Sequence, residues 1–164
     1  MLLFQPACLV LTLKLKNMNY DNVEILFVED SIDDATLTIR ALAKSGFTNK
    51  LHHVKDGAEA LDFIYCKGIY ASRNIKENPK LILLDLKMPK VSGMQVLEKV
   101  KSDPDLKSIP VVILTSSQED PDIAKCYALG ANSYIVKPVD SNNFFNAIKE
   151  IGLYWMILSQ PAIP

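Results

Sequence analysis

A chain of 164 residues is long enough for one domain with a real core and short for two. Hydrophobic residues make up 49% and charged residues 23%, an ordinary globular mixture. Lys and Arg total 18 against 19 Asp and Glu, so the net charge of -1 provides no basic footprint for nucleic acid or for an anionic membrane surface.

In chain order, Met1 to Leu15 is apolar but broken by Pro6 and Lys14. It lacks a signal peptide's basic start and cleavage site, and it is shorter than the ~20 residues of a membrane span. The pattern of a folded domain begins near Val23, after a second methionine, Met18. Residues 1–21 are therefore read as an extension, with Met18 as the expected start. An amphipathic anchor, or a segment packed on the domain, are the rival readings. Cys8, Cys66 and Cys126 are widely spaced and odd in number, which is neither a disulfide framework nor a zinc site and fits a reducing cytoplasm.

Val23 to Val28 is rich in β-branched residues and ends in Glu29-Asp30. Ser31 suits a helix N-cap, Asp33 and Asp34 favour the positive end of that helix, and Leu37, Ile39, Leu42 and Ala43 form its expected apolar face before Gly46. Leu51 to Val54 predicts a short strand in which His52 and His53 are structural, Asp56-Gly57 a turn, and Ala58 to Cys66 a helix. Gly68 to Pro79 reads as a long polar loop. Leu81 to Leu84 is a continuous apolar run that ends in Asp85, as a strand buried on both faces would. A helix is expected from Met94 to Lys101, a strand from Val111 to Thr115, and a helix from Pro121 to Leu129 capped by Gly130. Ser133 to Val136 predicts the fifth strand, closed by Lys137-Pro138, and the last helix starts near Ser141.

Alternating strands and helices call for a parallel sheet covered on both faces. Right-handed crossovers reduce this to a doubly wound α/β sheet of order 2-1-3-4-5, with ligands bound where the order reverses. Glu29-Asp30, Asp85, Thr115 and Lys137 stand at the strand ends that converge there. Two carboxylates about 5 Å apart repel by roughly 3 kcal/mol at an effective dielectric near 20, so three need a positive partner. Mg²⁺ is such a partner, and it brings phosphate oxygens with it. Asp85, ending the most buried strand, is the expected nucleophile and phosphoacceptor, with Lys137 and Thr115 stabilising the transferred group.

These residues resemble the receiver domains of two-component response regulators over about Asn22 to Glu150. The resemblance rests on Glu29-Asp30 in FVEDS, Asp85 in LILLDLKMPKVSG, Thr115 in VVILTSS and Lys137-Pro138 in YIVKPV. It implies a flavodoxin-like (βα)5 fold and Mg²⁺ held by Glu29, Asp30, Asp85 and the backbone carbonyl of Lys87. It also implies a cis-proline at Pro138 and a switch in which Thr115 moves to the phosphoryl group and Tyr134 turns inward. The long loop, the run DPDLKSIPVVILTSS and a tail with Tyr154-Trp155 resemble more narrowly the small regulators paired with cyanobacterial and bacterial phytochromes. A sensor histidine kinase, a phytochrome in that subgroup, is the implied partner, and the chain is a cytoplasmic phosphoacceptor rather than a turnover enzyme.

Phe144, Ile148, Ile151, Trp155 and Leu158 recur at three- and four-residue steps, with Tyr154 beside them. Residues 151–164 extend the last helix as a tail, and a homodimer is expected through this stripe on the face of helix 4, strand 5 and helix 5, including Phe144, Ile148, Ile151, Tyr154 and Trp155. Folding of the tail onto its own domain is the rival. The fourteen residues after Glu150 are too few for a DNA-binding domain, so output is expected through protein contacts. A flavin carrier would need a phosphate cradle where the acidic Glu29 to Asp34 loop stands. No P-loop sequence occurs. An aspartyl phosphohydrolase resembling the known ones would carry an acid where Lys87 stands. A degenerate receiver acting without phosphorylation is the remaining alternative.

Overall fold

The computed structural model describes residues 20, 22–44, 49–116 and 121–150. Its strands are β1 (Ile25–Val28), β2 (Leu51–Val54), β3 (Leu81–Asp85), β4 (Val111–Thr115) and β5 (Ser133–Val136). The helices are α1 (Ile32–Lys44), α2 (Gly57–Ile64), α3 (Gly93–Ser102), α4 (Pro121–Ala128) and α5 (Ser141–Glu150). All strand pairs are parallel, in the order β2-β1-β3-β4-β5. The doubly wound sheet expected from the apolar runs is the one observed.

The side-chain period of two splits the core between the two faces of the sheet. Ile25, Phe27, Leu81, Leu83, Val112, Leu114 and Ile135 pack with Ala35 and Leu42 of α1 and with Phe144 and Ala147 of α5. Leu26, Val28, Ile82, Leu84, Val111 and Ile113 pack on the other face with Ala60 and Phe63 of α2, Val96, Leu97 and Val100 of α3, and Cys126 of α4. Each fully buried leucine of β3 contributes roughly 2 kcal/mol of burial.

Three expectations change. The buried stripe of α1 is Ala35, Thr38 and Leu42, whereas Leu37 and Ile39 face solvent. The face that α1 turns inward thus carries the small residues Ala35 and Thr38 beside Leu42. Phe144, counted above among the interface residues, is fully buried at 0% exposure, because α5 lays it onto the sheet. It belongs to the core. The Ile148 side chain and Ile151, Tyr154, Trp155 and Leu158 lie outside the described residues, as do residues 1–19 and Cys8. The stretch from Gly68 to Pro79 is more than a polar loop. It opens with a 3-10 turn over Gly68–Tyr70, and buries Tyr70 and Arg73. The Arg73 guanidinium sits 3.7 Å from the centre of the Phe63 ring and donates to the carbonyls of Phe63 and Glu77, which fastens the loop to α2.

Local signals set the helix starts. Asp56 caps α2 by accepting the Glu59 N–H at 2.7 Å. Ser92 and Gln95 form a reciprocal capping box on α3. Gly130, at φ 104°, ends the turn after α4 in a conformation that favours glycine. Among the described residues no helix is long and apolar enough to cross a membrane.

Candidate phosphoacceptor site

The site forms at the strand C-termini around the β1–β3 boundary, where the strand order reverses. Val28 pairs with Leu84, which sets Glu29 and Asp30 beside Asp85. Thr115 pairs with Val136, and the Lys137 N–H donates to the Thr115 carbonyl at 2.7 Å, so β4 and β5 bring a hydroxyl residue and an ammonium to the same rim. An open pocket of about 260 Å³ is lined by Glu29, Asp30, Ser31, Asp34, Asp85, Lys87, Thr115 and Lys137, among others.

Glu29, Asp85 and Thr115 are buried, whereas Asp30 is exposed. One carboxylate oxygen from each of Glu29, Asp30 and Asp85 lies within 4.8 Å of the others. The Lys137 ammonium stands 2.7 Å from Glu29, 3.0 Å from Asp34 and 3.5 Å from Asp85. Backbone donors add to this: the Ser31 N–H reaches Glu29 at 3.1 Å, and the Lys87 N–H reaches Asp85 at 3.4 Å. His53 holds the loop from below, with its Nε2 2.8 Å from the Glu29 carbonyl oxygen. Gly93 leaves room for the acceptor strand, since a Cβ there would lie 2.0 Å from the Asp85 carbonyl oxygen.

Burial pushes the Glu29 carboxyl above its ordinary pKa, and the Asp85 charge adds to this against the Lys137 hydrogen bond. Burial likewise raises Asp85, helped by Asp30 and opposed by Lys137. Burial works against the Lys137 charge, but the hydrogen bonds it donates to Glu29 and Asp34 and the charge of Asp85 outweigh this and raise its pKa. The pocket is thus short of positive charge. Three clustered carboxylates, two of them buried and shifted toward the neutral form, fit a hard divalent cation.

A carboxyl raised above its unfolded value contributes stability below that value and loses it as pH rises through the folded one. For metal-free protein, the stability of Asp85→Asn relative to the unmutated chain is therefore expected to climb as pH rises above about 4 toward neutrality. Denaturant titrations across that range check the slope; a flat or falling difference would contradict it.

The residues singled out from sequence come together here, and Lys137-Pro138 is a cis peptide. Tyr134 is 37% exposed on β5, its ring edge-to-face with Tyr127 at 6.2 Å. Asp34, Ser31 and His53 complete the site and were not singled out as site residues. Asp34 reads locally as a helix-start charge, and nothing in its neighbourhood signals a partner 103 positions away.

Residues 25–149 match the model of the response regulator receiver domain. This chain belongs to the response-regulator receiver family. It is accordingly a signalling domain of a two-component phosphorelay, and the receiver's histidine-kinase partner follows from that membership. Among its relatives, response regulator Rcp1 of Synechocystis is 38% identical over 132 residues, covering 80% of this chain and 88% of that protein. The probable methanogenesis regulatory protein FilR2 of Methanothrix harundinacea is 37% identical, covering 80% and 83%. The bacteriophytochrome response regulator RtBRR is similar in structure, with a TM-score of 0.76 and 48% identity over 84% of this chain and 82% of that one. A manganese-bound form of Rcp1 superposes with a TM-score of 0.65 at 36% identity, covering 85% and 97%.

Proposed function

We propose that this chain accepts a phosphoryl group from a histidine kinase on Asp85, with Mg²⁺ in the acidic pocket, and signals through protein contacts in the cytoplasm rather than by turnover. The observation that carries the reading is the convergence of Glu29, Asp30, Asp85 and Lys137 within one pocket beside Thr115. A degenerate receiver has no need of such a complete set, so that reading is not favoured.

In the transfer, an Asp85 carboxylate oxygen forms the bond to phosphorus while the bond to the kinase imidazole nitrogen breaks, and the imidazole takes up a proton. The Lys87 backbone N–H at 3.4 Å orients the Asp85 carboxylate. Lys137 follows the charge onto the phosphoryl oxygens, and the Thr115 hydroxyl donates to one of them. Glu29, Asp30, Asp85 and the Lys87 carbonyl would hold the cation, which supplies positive charge against the phosphoryl oxygens when bound. With Thr115 drawn in, Tyr134 turns from its exposed position and reshapes the face of α4, β5 and α5. Tyr127 on that face, 44% exposed, supports a homodimer there that the phosphoryl group strengthens.

The likeness to the bacteriophytochrome regulators and to Rcp1 supports a phytochrome as the kinase. A phosphorylated phytochrome kinase core mixed with this chain is expected to lose its label to the chain in Mg²⁺, and not to Asp85→Asn. Label that stays on the kinase, while a parallel receiver removes it, would overturn the pairing.

A further inference from the structure

Lys137 is shared among three carboxylates, and it stands closer to Asp34 than to the acceptor. Its ammonium is hydrogen-bonded to Asp34 Oδ2 at 3.0 Å, while Asp85 Oδ2 is 3.5 Å away. Asp34 is fixed at the rim by the first turn of α1. Its N–H donates to Ser31 Oγ at 3.2 Å, and the Ala35 N–H donates to the Ser31 carbonyl at 2.9 Å. The neighbouring Asp33 shares the helix start but is exposed.

We propose that Asp34 is a positioning residue that tethers Lys137 at the rim of the pocket and competes for it with the phosphoryl group on Asp85. The proposal rests on the reading of Asp85 as acceptor. When phosphorus arrives, Lys137 must leave Asp34 to meet it, so the tether slows phosphorylation. Asp34 is 44% exposed and can be resolvated once released. The competition is therefore of the strength of a partly exposed ion pair, about 3- to 5-fold in rate. A helix-dipole role alone would be shared by Asp33 and would not involve Lys137.

The test compares phosphorylation by acetyl phosphate, at saturating Mg²⁺, of the unmutated chain and of Asp34→Ala, Asp34→Glu and Asp33→Ala. Thermal melts confirm that each variant is folded. Asp34→Ala is expected to be about 3- to 5-fold faster. Asp34→Glu restores the slower rate, and Asp33→Ala leaves it unchanged. A second readout is the Lys137 13Cε resonance in metal-free protein, which Asp34→Ala shifts and Asp33→Ala does not. Equal rates for Asp34→Ala and the unmutated chain, or an equal rise for Asp33→Ala, would overturn the proposal. If the unmutated chain takes no phosphoryl group, the acceptor reading fails, and the Lys137 resonance then decides the tether alone: a shift specific to Asp34→Ala supports it and an unmoved resonance overturns it.

Discussion

Gly93→Ala is expected to cost the fold about 3 kcal/mol and to displace the carboxylate at the centre of the site. The added Cβ would lie 2.0 Å from the Asp85 carbonyl oxygen and 2.8 Å from both the Asp85 carbonyl carbon and the Leu86 Cα. All three are backbone atoms, so no side chain can turn away to make room. The Gly93 N–H also donates to the Leu86 carbonyl at 3.1 Å, which ties the start of α3 to the end of β3. Relief must come from moving one of those two elements. A loss of about 3 kcal/mol lowers the melting temperature of a domain this size by about 10 °C. Thermal unfolding checks this; a melting temperature within about 2 °C of the unmutated chain would show that the helix start shifts freely. The phosphorylation rate should fall with it, because Asp85 rides on the same backbone.

Asp85→Asn is expected to leave the fold intact and to remove phosphoryl acceptance entirely. The amide matches the carboxylate in size, and the buried cluster loses one of its like charges, so the pocket keeps its shape. What disappears is the anionic oxygen that forms the bond to phosphorus. Glu29 does not replace it, since it is 1% exposed and its carboxylate is held by Lys137 and the Ser31 N–H. Asp30 is exposed, whereas Asp85 is buried with the Lys137 ammonium 3.5 Å away. Divalent-cation binding should weaken in the variant without vanishing, because Glu29 and Asp30 remain.

The central residues were legible because each closes a short apolar run. In a parallel sheet buried on both faces, a polar residue at the end of such a run can only be at the rim. The sheet order then follows from right-handed crossovers, and with it the meeting of Glu29, Asp30, Asp85, Thr115 and Lys137. Other features depended on three-dimensional fit. α1 carries apolar residues around much of its circumference, so periodicity alone does not show that Ala35, Thr38 and Leu42 form the inner face. Phe144 begins a stripe whose period is helical, but period alone does not say which part the sheet covers. Arg73 reads as a loop charge until the Phe63 ring and two carbonyls enclose it. Asp34 needs α1 and β5 to be placed before its contact with Lys137 exists.

The measurement that tests the central claim most directly is the intact mass of the chain over time with acetyl phosphate. It is run with Mg²⁺ and with a chelator, for the unmutated chain and for Asp85→Asn. The account predicts the gain of one phosphoryl group only by the unmutated chain and only with Mg²⁺. A gain by Asp85→Asn, or an undiminished gain in chelator, would contradict it.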